Sequence, residues 1–241
     1  MDMGKTAREK FKTYKGVFDE FTLRNLFKLS SQGYFDDMET LSPVSIGKES
    51  NVFSAKKGEG KVIVKIYRLE NCDFNRMFDY IKYDPRYIGL KRQRRKVIFA
   101  WVQREYRNLL KARQAKVRVP TPHAFMKNVL IEEFIGKKDP APKLKDRVPK
   151  NLKRFFDNTV SQIRRLHESG LVHADLSHFN ILNFGERPVI IDLSTCTSVE
   201  SQMADDYLKR DVRNLCSFFR RYGMKTDEEK TIKKIKAYQK V

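Results

Sequence analysis

Apolar positions along the chain recur in two rhythms, and the rhythm changes near residue 42. Over residues 5 to 30, Phe11, Tyr14, Val17, Phe18, Phe21, Leu26 and Phe27 fall at roughly helical spacing, which predicts one or two short helices. The stretch "LSPVSIGKESNVFSAKKGEGKVIVKIYRL" then breaks at Gly58-Glu59-Gly60 between runs rich in β-branched residues, the pattern of strand, hairpin and strand. Residues 70 to 97 are polar, basic and irregular, and predict a long loop or a partly helical insertion. Ile98, Trp101, Val102 and Leu109 restore a helical stripe up to Ala115. "VPTPHAFMKNVLIEEFIG" follows, with proline punctuation and then two short strands, and the Pro- and Lys-rich segment from Lys137 to Pro149 predicts a connector. A helix is predicted from Asn151 to Glu168, with Leu152, Phe155, Phe156, Val160, Ile163 and Leu166 on one face and Gly170 as its stop. "RPVIIDLST" predicts another short strand, and the chain from Ala204 predicts helix. Strands dominate the first half and helices the second, so the fold class is α+β, with a sheet-rich lobe, a helical lobe and a cleft between them for a ligand.

Several polar residues stand where this pattern calls for apolar ones. Lys65 lies inside "VIVKIY". If that strand is buried on both faces, its ammonium requires an anionic partner. If the strand is at an edge, Lys65 points to water, and Val62, Val64 and Ile66 alone turn inward. Glu105 falls on the stripe of Ile98, Val102 and Leu109 and is the natural partner of Lys65; with the stripe rotated it would pair with a neighbouring arginine instead. Asp192 ends the apolar run "VIID", where an acid can bind a metal or cap a turn. His173, Asp175 and Asn180 sit within "LVHADLSHFNIL" among residues suited to a core. "SIGKESNVF" can turn backbone N–H groups toward phosphate, although it is neither a Walker A loop nor G-x-G-x-x-G.

Composition narrows the classes. The chain of 241 residues carries a formal net charge of +20. Between Arg86 and Arg118 there are twelve Lys or Arg and a single acid, Glu105. Such a surface suits RNA or a ribonucleoprotein, or is a solvated basic face. The three cysteines follow no metal-ligand spacing and predict reduced thiols in a cytoplasmic protein. No apolar run has the length of a membrane span and the start lacks an apolar signal region, so neither membrane nor export is expected.

The order of these features is a phosphate-type loop, a strand lysine, a helix glutamate, Asp175-x-x-x-x-Asn180 and a strand-end aspartate. That order resembles a protein-kinase core. The wording "SIGKESNVF", "VIVKIYR", "HADLSHFNIL" and "VIIDLST" resembles the RIO family of atypical serine kinases, closest to its type-one branch, over about residues 42 to 221. The resemblance implies a bilobal protein-kinase-like fold. Residues 1–40 would form an N-terminal helical extension, residues 41–135 a sheet-rich N-lobe with a basic flexible loop at about 70–97, and residues 136–241 a truncated helical C-lobe.

The resemblance also implies ATP and Mg²⁺ as cofactors, with Mn²⁺ a possible substitute. Asp175 would be the catalytic base, Asn180 and Asp192 the metal ligands, and Lys65, oriented by Glu105, the phosphate contact. Gly47, Lys48, Glu49 and Ser50 would cover the phosphates, with Ile46 and Val52 beside them. Glu133 and Ile135 would meet adenine at the hinge, with Met126 or Leu130 nearby. His173 is expected to be structural. The family's role is maturation of the small ribosomal subunit, so precursor rRNA and proteins are expected partners, with ATP acting as a switch, autophosphorylation and, in some members, phosphate on the metal aspartate. A monomer is expected.

The chain departs from ordinary kinases in having no A-P-E and little length after Asp192 for a peptide-docking platform. The segment from Glu70 to Val97 holds no Ser or Thr, so serine autophosphorylation is expected elsewhere, at Ser42, Ser45, Ser50 or near the N-terminus. Two other readings compete. A small-molecule phosphotransferase shares the H-x-D-x-x-x-x-N loop, but those that take polycationic substrates would not suit a charge of +20. A non-catalytic RNA-binding scaffold would not need Lys65, Asp175, Asn180 and Asp192 all intact.

Overall fold

The computed structural model describes residues 18–237 apart from Asn71 and Tyr83. Phe11, Tyr14 and Val17 of the expected first helices lie outside these residues. Helix α1 (Glu20–Ser31) opens on Asp19, whose carboxylate caps it by accepting from the Thr22 N–H at 2.9 Å. Strands β1 (Ser42–Ile46), β2 (Ser50–Lys57), β3 (Gly60–Tyr67), β4 (Pro122–Met126) and β5 (Val129–Glu133) form one antiparallel sheet in the order β1-β2-β3-β5-β4. The strand carrying Lys65 is therefore central, and the edge-strand reading does not hold.

Alternation sorts β3 into two faces. Val62, Val64 and Ile66 pack with Leu23, Leu26 and Leu29 of α1. Asn128, in the β4–β5 turn, donates to the Thr22 hydroxyl at 2.9 Å and pins α1 there. Ile63, Lys65 and Tyr67 alternate onto the opposite face, toward the long helix α3 (Arg94–Gln114) and the cleft. Between β3 and α3 the segment expected to be a loop or a partly helical insertion carries helix α2 (Phe74–Ile81). Met77 and Ile81 of α2 are fully buried, and its Tyr80 ring stacks on Tyr207 at 5.6 Å.

The helical half comprises α4 (Leu152–Glu168), α5 (Ala204–Arg221) and α6 (Glu228–Lys236). Two short pairs of strands lie among them, β6 (Leu171–Val172) with β9 (Thr197–Ser198) and β7 (Ile181–Asn183) with β8 (Pro188–Ile190). The link from β5 is short and tight. Ala141 donates its N–H to the Ile135 carbonyl at 2.8 Å, and a Cβ on Gly136 would stand 2.3 Å from the Asp139 carbonyl oxygen. No helix among the described residues is long and apolar enough to cross a membrane.

Candidate active site

A cleft of about 590 Å³ lies between the sheet and the helical half. Val44, Val52, Ile63, Pro120, Ile135, Leu182 and Ile191 make its apolar walls, with Glu132, Glu133, Lys65, Asn180 and Asp192 also lining it. It shares Gly47, Ser50, Lys65, Asn180 and Asp192 with a more polar space of about 700 Å³ that adds Lys48, Glu49, Arg76, Asp175 and Ser177. The chain thus joins an apolar recess to a charged one.

Lys65 is the centre of the charged end. Its ammonium lies 2.8 Å from Glu105 Oε1 and 2.9 Å from Asp192 Oδ1. The other Glu105 oxygen accepts from the Tyr67 hydroxyl, so this fully buried carboxylate has partners on both oxygens. Burial opposes the charge on Lys65, but Asp192 and Glu105 outweigh it and hold the ammonium well above its usual range. Burial would raise the Asp192 carboxyl, yet Lys65 and the Ser194 hydroxyl, 2.9 Å away, hold it at about 2. Glu132, buried nearby, has its carboxyl pushed up to about 8, first by burial and then by Glu105.

The loop from His173 to Asn180 connects β6 to β7 and is fixed from below. Asp211 of α5 accepts from the Ala174 and Leu176 N–H groups, each at 2.8 Å. Arg210 donates to the Ala174 carbonyl, and Asn214 donates to the Leu176 carbonyl at 3.1 Å. Ala174 has a left-handed backbone, φ 65°, and so has Asp192, φ 62°. His173 is buried, and its Nε2 lies 3.1 Å from the Ile191 carbonyl. Asn180, which lines the cleft, donates its Nδ2 to the Asp175 carbonyl at 2.9 Å and keeps its Oδ1 as an acceptor. Asp175 stands 3.5 Å from Arg76.

Gly47 closes the turn between β1 and β2 by donating to the Ser50 carbonyl at 3.0 Å, and a Cβ there would stand 2.9 Å from that oxygen. Its N–H is thereby spent within the turn. Ile46, expected in the site, is 70% exposed and lines neither space. Glu133 lines the cleft, but its carboxylate is turned to Thr121, accepting from that residue's N–H at 2.9 Å and hydroxyl at 2.7 Å. Met126 and Leu130 do not line the cleft.

The donor set fits a hard divalent cation. Asn180 Oδ1 and the Asp192 oxygen not bound to Lys65 are neutral and anionic oxygen donors on two residues that line both spaces. No group of three or more His, Cys, Asp or Glu among the described residues could hold a metal by itself. Two protein oxygens suit an ion that completes its shell with water and phosphate oxygens.

Residues 51–232 match the family described as the RIO domain. The chain belongs to the RIO family. The RIO-type serine/threonine-protein kinase Rio1 of Haloferax volcanii is 39% identical over 221 residues, covering 91% of this chain and 76% of that one. The Rio1 of Methanocaldococcus jannaschii is 40% identical over 215 residues, covering 88% and 73%. The human serine/threonine-protein kinase RIO1 is 32% identical over 219 residues, covering 88% of this chain and 38% of the human one. The type-one branch of this family of serine/threonine kinases is therefore the right one, as the wording of the sequence motifs implies. Two structures of Rio2 kinase from Chaetomium thermophilum share the fold, with 20% identity and TM-scores of 0.63 and 0.66 over 87% of this chain. The chain spans 65% and 66% of their lengths, and the first is an ADP/Mg²⁺-phosphoaspartate complex.

Proposed function

We propose that the chain is an ATP- and Mg²⁺-dependent serine/threonine kinase and ATPase that acts in maturation of the small ribosomal subunit. The observation that carries the chemistry is the single ammonium of Lys65 held between Glu105 and Asp192, at the end of the cleft where Asp175 and Asn180 also lie. The apolar recess would receive adenine, and the charged space the phosphates and the acceptor. Lys65 would contact the phosphates from a fixed position, because both of its partners are themselves fixed. Asn180 and Asp192 would hold Mg²⁺, with Mn²⁺ as an alternative, and the ion would neutralise charge on the phosphate oxygens. Asp175 would accept the proton of the attacking hydroxyl or water. Its loop would keep it in place through the Asp211 bonds to the neighbouring N–H groups. The Rio2 complex with phosphoaspartate makes Asp192 the candidate acceptor on this chain for a covalent phosphate step. The charge of +20 supports a ribosomal partner.

The test follows γ-labelled ATP and Mg²⁺ with wild type and Asp175→Ala, with and without immature small subunits. Asp175-dependent phosphate release, stimulated by the subunits, is expected. Label on a ribosomal protein would place kinase activity ahead of the switch, and no label and no release in wild type would overturn the proposal.

A further inference from the structure

The charged end of the cleft holds four acidic side chains, Glu49, Asp73, Asp175 and Asp192, and a terminal phosphate would add further negative charge among them. Lys65 already serves Glu105 and Asp192. The remaining side of the space, at Glu49 and Asp175, is faced by Arg76 of α2. Its guanidinium lies 3.5 Å from Asp175 Oδ2 and 3.7 Å from Glu49 Oε1, with the side chain 46% exposed. Both contacts are longer than a good charge-assisted hydrogen bond, so donors remain for a further anion.

Arg76 is held there from below. Met77 and Ile81, on the opposite side of the same short helix, are fully buried, and Asp73 caps the helix by accepting from the Arg76 N–H at 3.0 Å. Tyr80 packs edge-on against Trp101 at 6.0 Å and stacks on Tyr207. A helix docked on both α3 and α5 thus presents one guanidinium to the phosphate end of the cleft.

We propose that Arg76 binds the terminal phosphate of the nucleotide, joins it to Glu49 and Asp175, and so makes the site prefer a triphosphate to a diphosphate. The inference rests on the nucleotide reading above and adds a residue to it. Arginine suits the task because its planar fork can meet two phosphate oxygens while another N–H stays on a carboxylate. Without it, Lys48 and Lys65 would be the remaining cationic side chains lining the space that Glu49 and Asp175 share with the terminal phosphate. A diphosphate, lacking the terminal phosphate, would leave the Arg76 side of this space unfilled.

The experiment measures equilibrium binding of a non-hydrolysable ATP analogue and of ADP, each with Mg²⁺, by calorimetry on wild type, Arg76→Ala and Arg76→Lys. Arg76→Ala is expected to lower the preference for the triphosphate about ten- to hundredfold while ADP affinity is kept. Arg76→Lys should restore part of it, since one charge returns without the fork. Thermal unfolding of each variant separates loss of a contact from loss of the helix. If Arg76→Ala lowers both affinities equally, or leaves their ratio unchanged and raises turnover, the residue is a structural or blocking contact of Asp175 and the inference is wrong. If wild type binds neither nucleotide, the functional reading itself fails and takes the inference with it.

Discussion

Lys65 Nζ lies 2.9 Å from Asp192 Oδ1, joining the central strand of the sheet to the second residue after β8, 127 positions later. The same nitrogen holds Glu105 on α3. Replacing it with an apolar residue leaves Glu105 buried without its cation. Lys65→Met is expected to cost about 3–5 kcal/mol of stability, read from urea denaturation. The double variant Lys65→Met, Glu105→Leu should recover most of that loss. If the single variant is as stable as wild type, the ammonium is not a structural tie.

Asp211 offers a second, separable prediction. It supplies the acceptors for two N–H groups of the loop that carries Asp175. Asp211→Ala leaves both without this partner and should cost about 2–4 kcal/mol, while Asp211→Asn keeps one acceptor and should cost less. Amide exchange at Ala174 and Leu176 should quicken in both variants. Unchanged exchange there would mean that other contacts hold the loop.

Glu132 predicts a dependence on pH. Its carboxyl titrates at about 8 in the folded chain against an ordinary value of 4.5. The unfolded chain therefore loses this proton first, and the contribution of Glu132 to stability falls as pH rises from about 4.5 to about 8. Glu132→Gln removes that slope, so the variant should gain stability relative to wild type between pH 5 and pH 8. Denaturation curves at the two values check it, and a difference that does not vary with pH would assign the shift elsewhere.

If the basic surface meets ribosomal RNA, binding to an rRNA fragment should fall linearly with log salt, one counterion released for each phosphate neutralised. Lys91, Arg92, Arg95 and Lys96 are exposed at the start of α3 and just before it. Replacing all four with Gln should flatten the slope, as filter binding over a salt series would read. An unaltered slope would move the contact to another face.

Much of this site was legible because it violates the apolar pattern. Lys65 inside a strand and Glu105 on a buried stripe each require a partner, and they find one another. The same argument would have found Asp211. It stands on the apolar stripe of Leu208, Val212 and Leu215, but flanking Arg210 and Arg213 make it look like a surface acid. Helix α2 was obscured because two turns offer too few positions for a period to emerge beside a basic flank. Asp192 as a partner of Lys65 was out of reach of spacing alone. Its carboxylate is aimed by a left-handed backbone at a residue far away in the chain.

Ala174 has a consequence for how this loop can be altered. At φ 65° it adopts a conformation that favours glycine, and its methyl group is fully buried. A side chain there costs about 1–2 kcal/mol relative to an unstrained backbone. Glycine would relieve that strain and widen the freedom of the residue next to Asp175 at the same time. Position 174 is therefore a place where thermal robustness and the exactness of the loop that carries Asp175 pull the choice of amino acid in opposite directions.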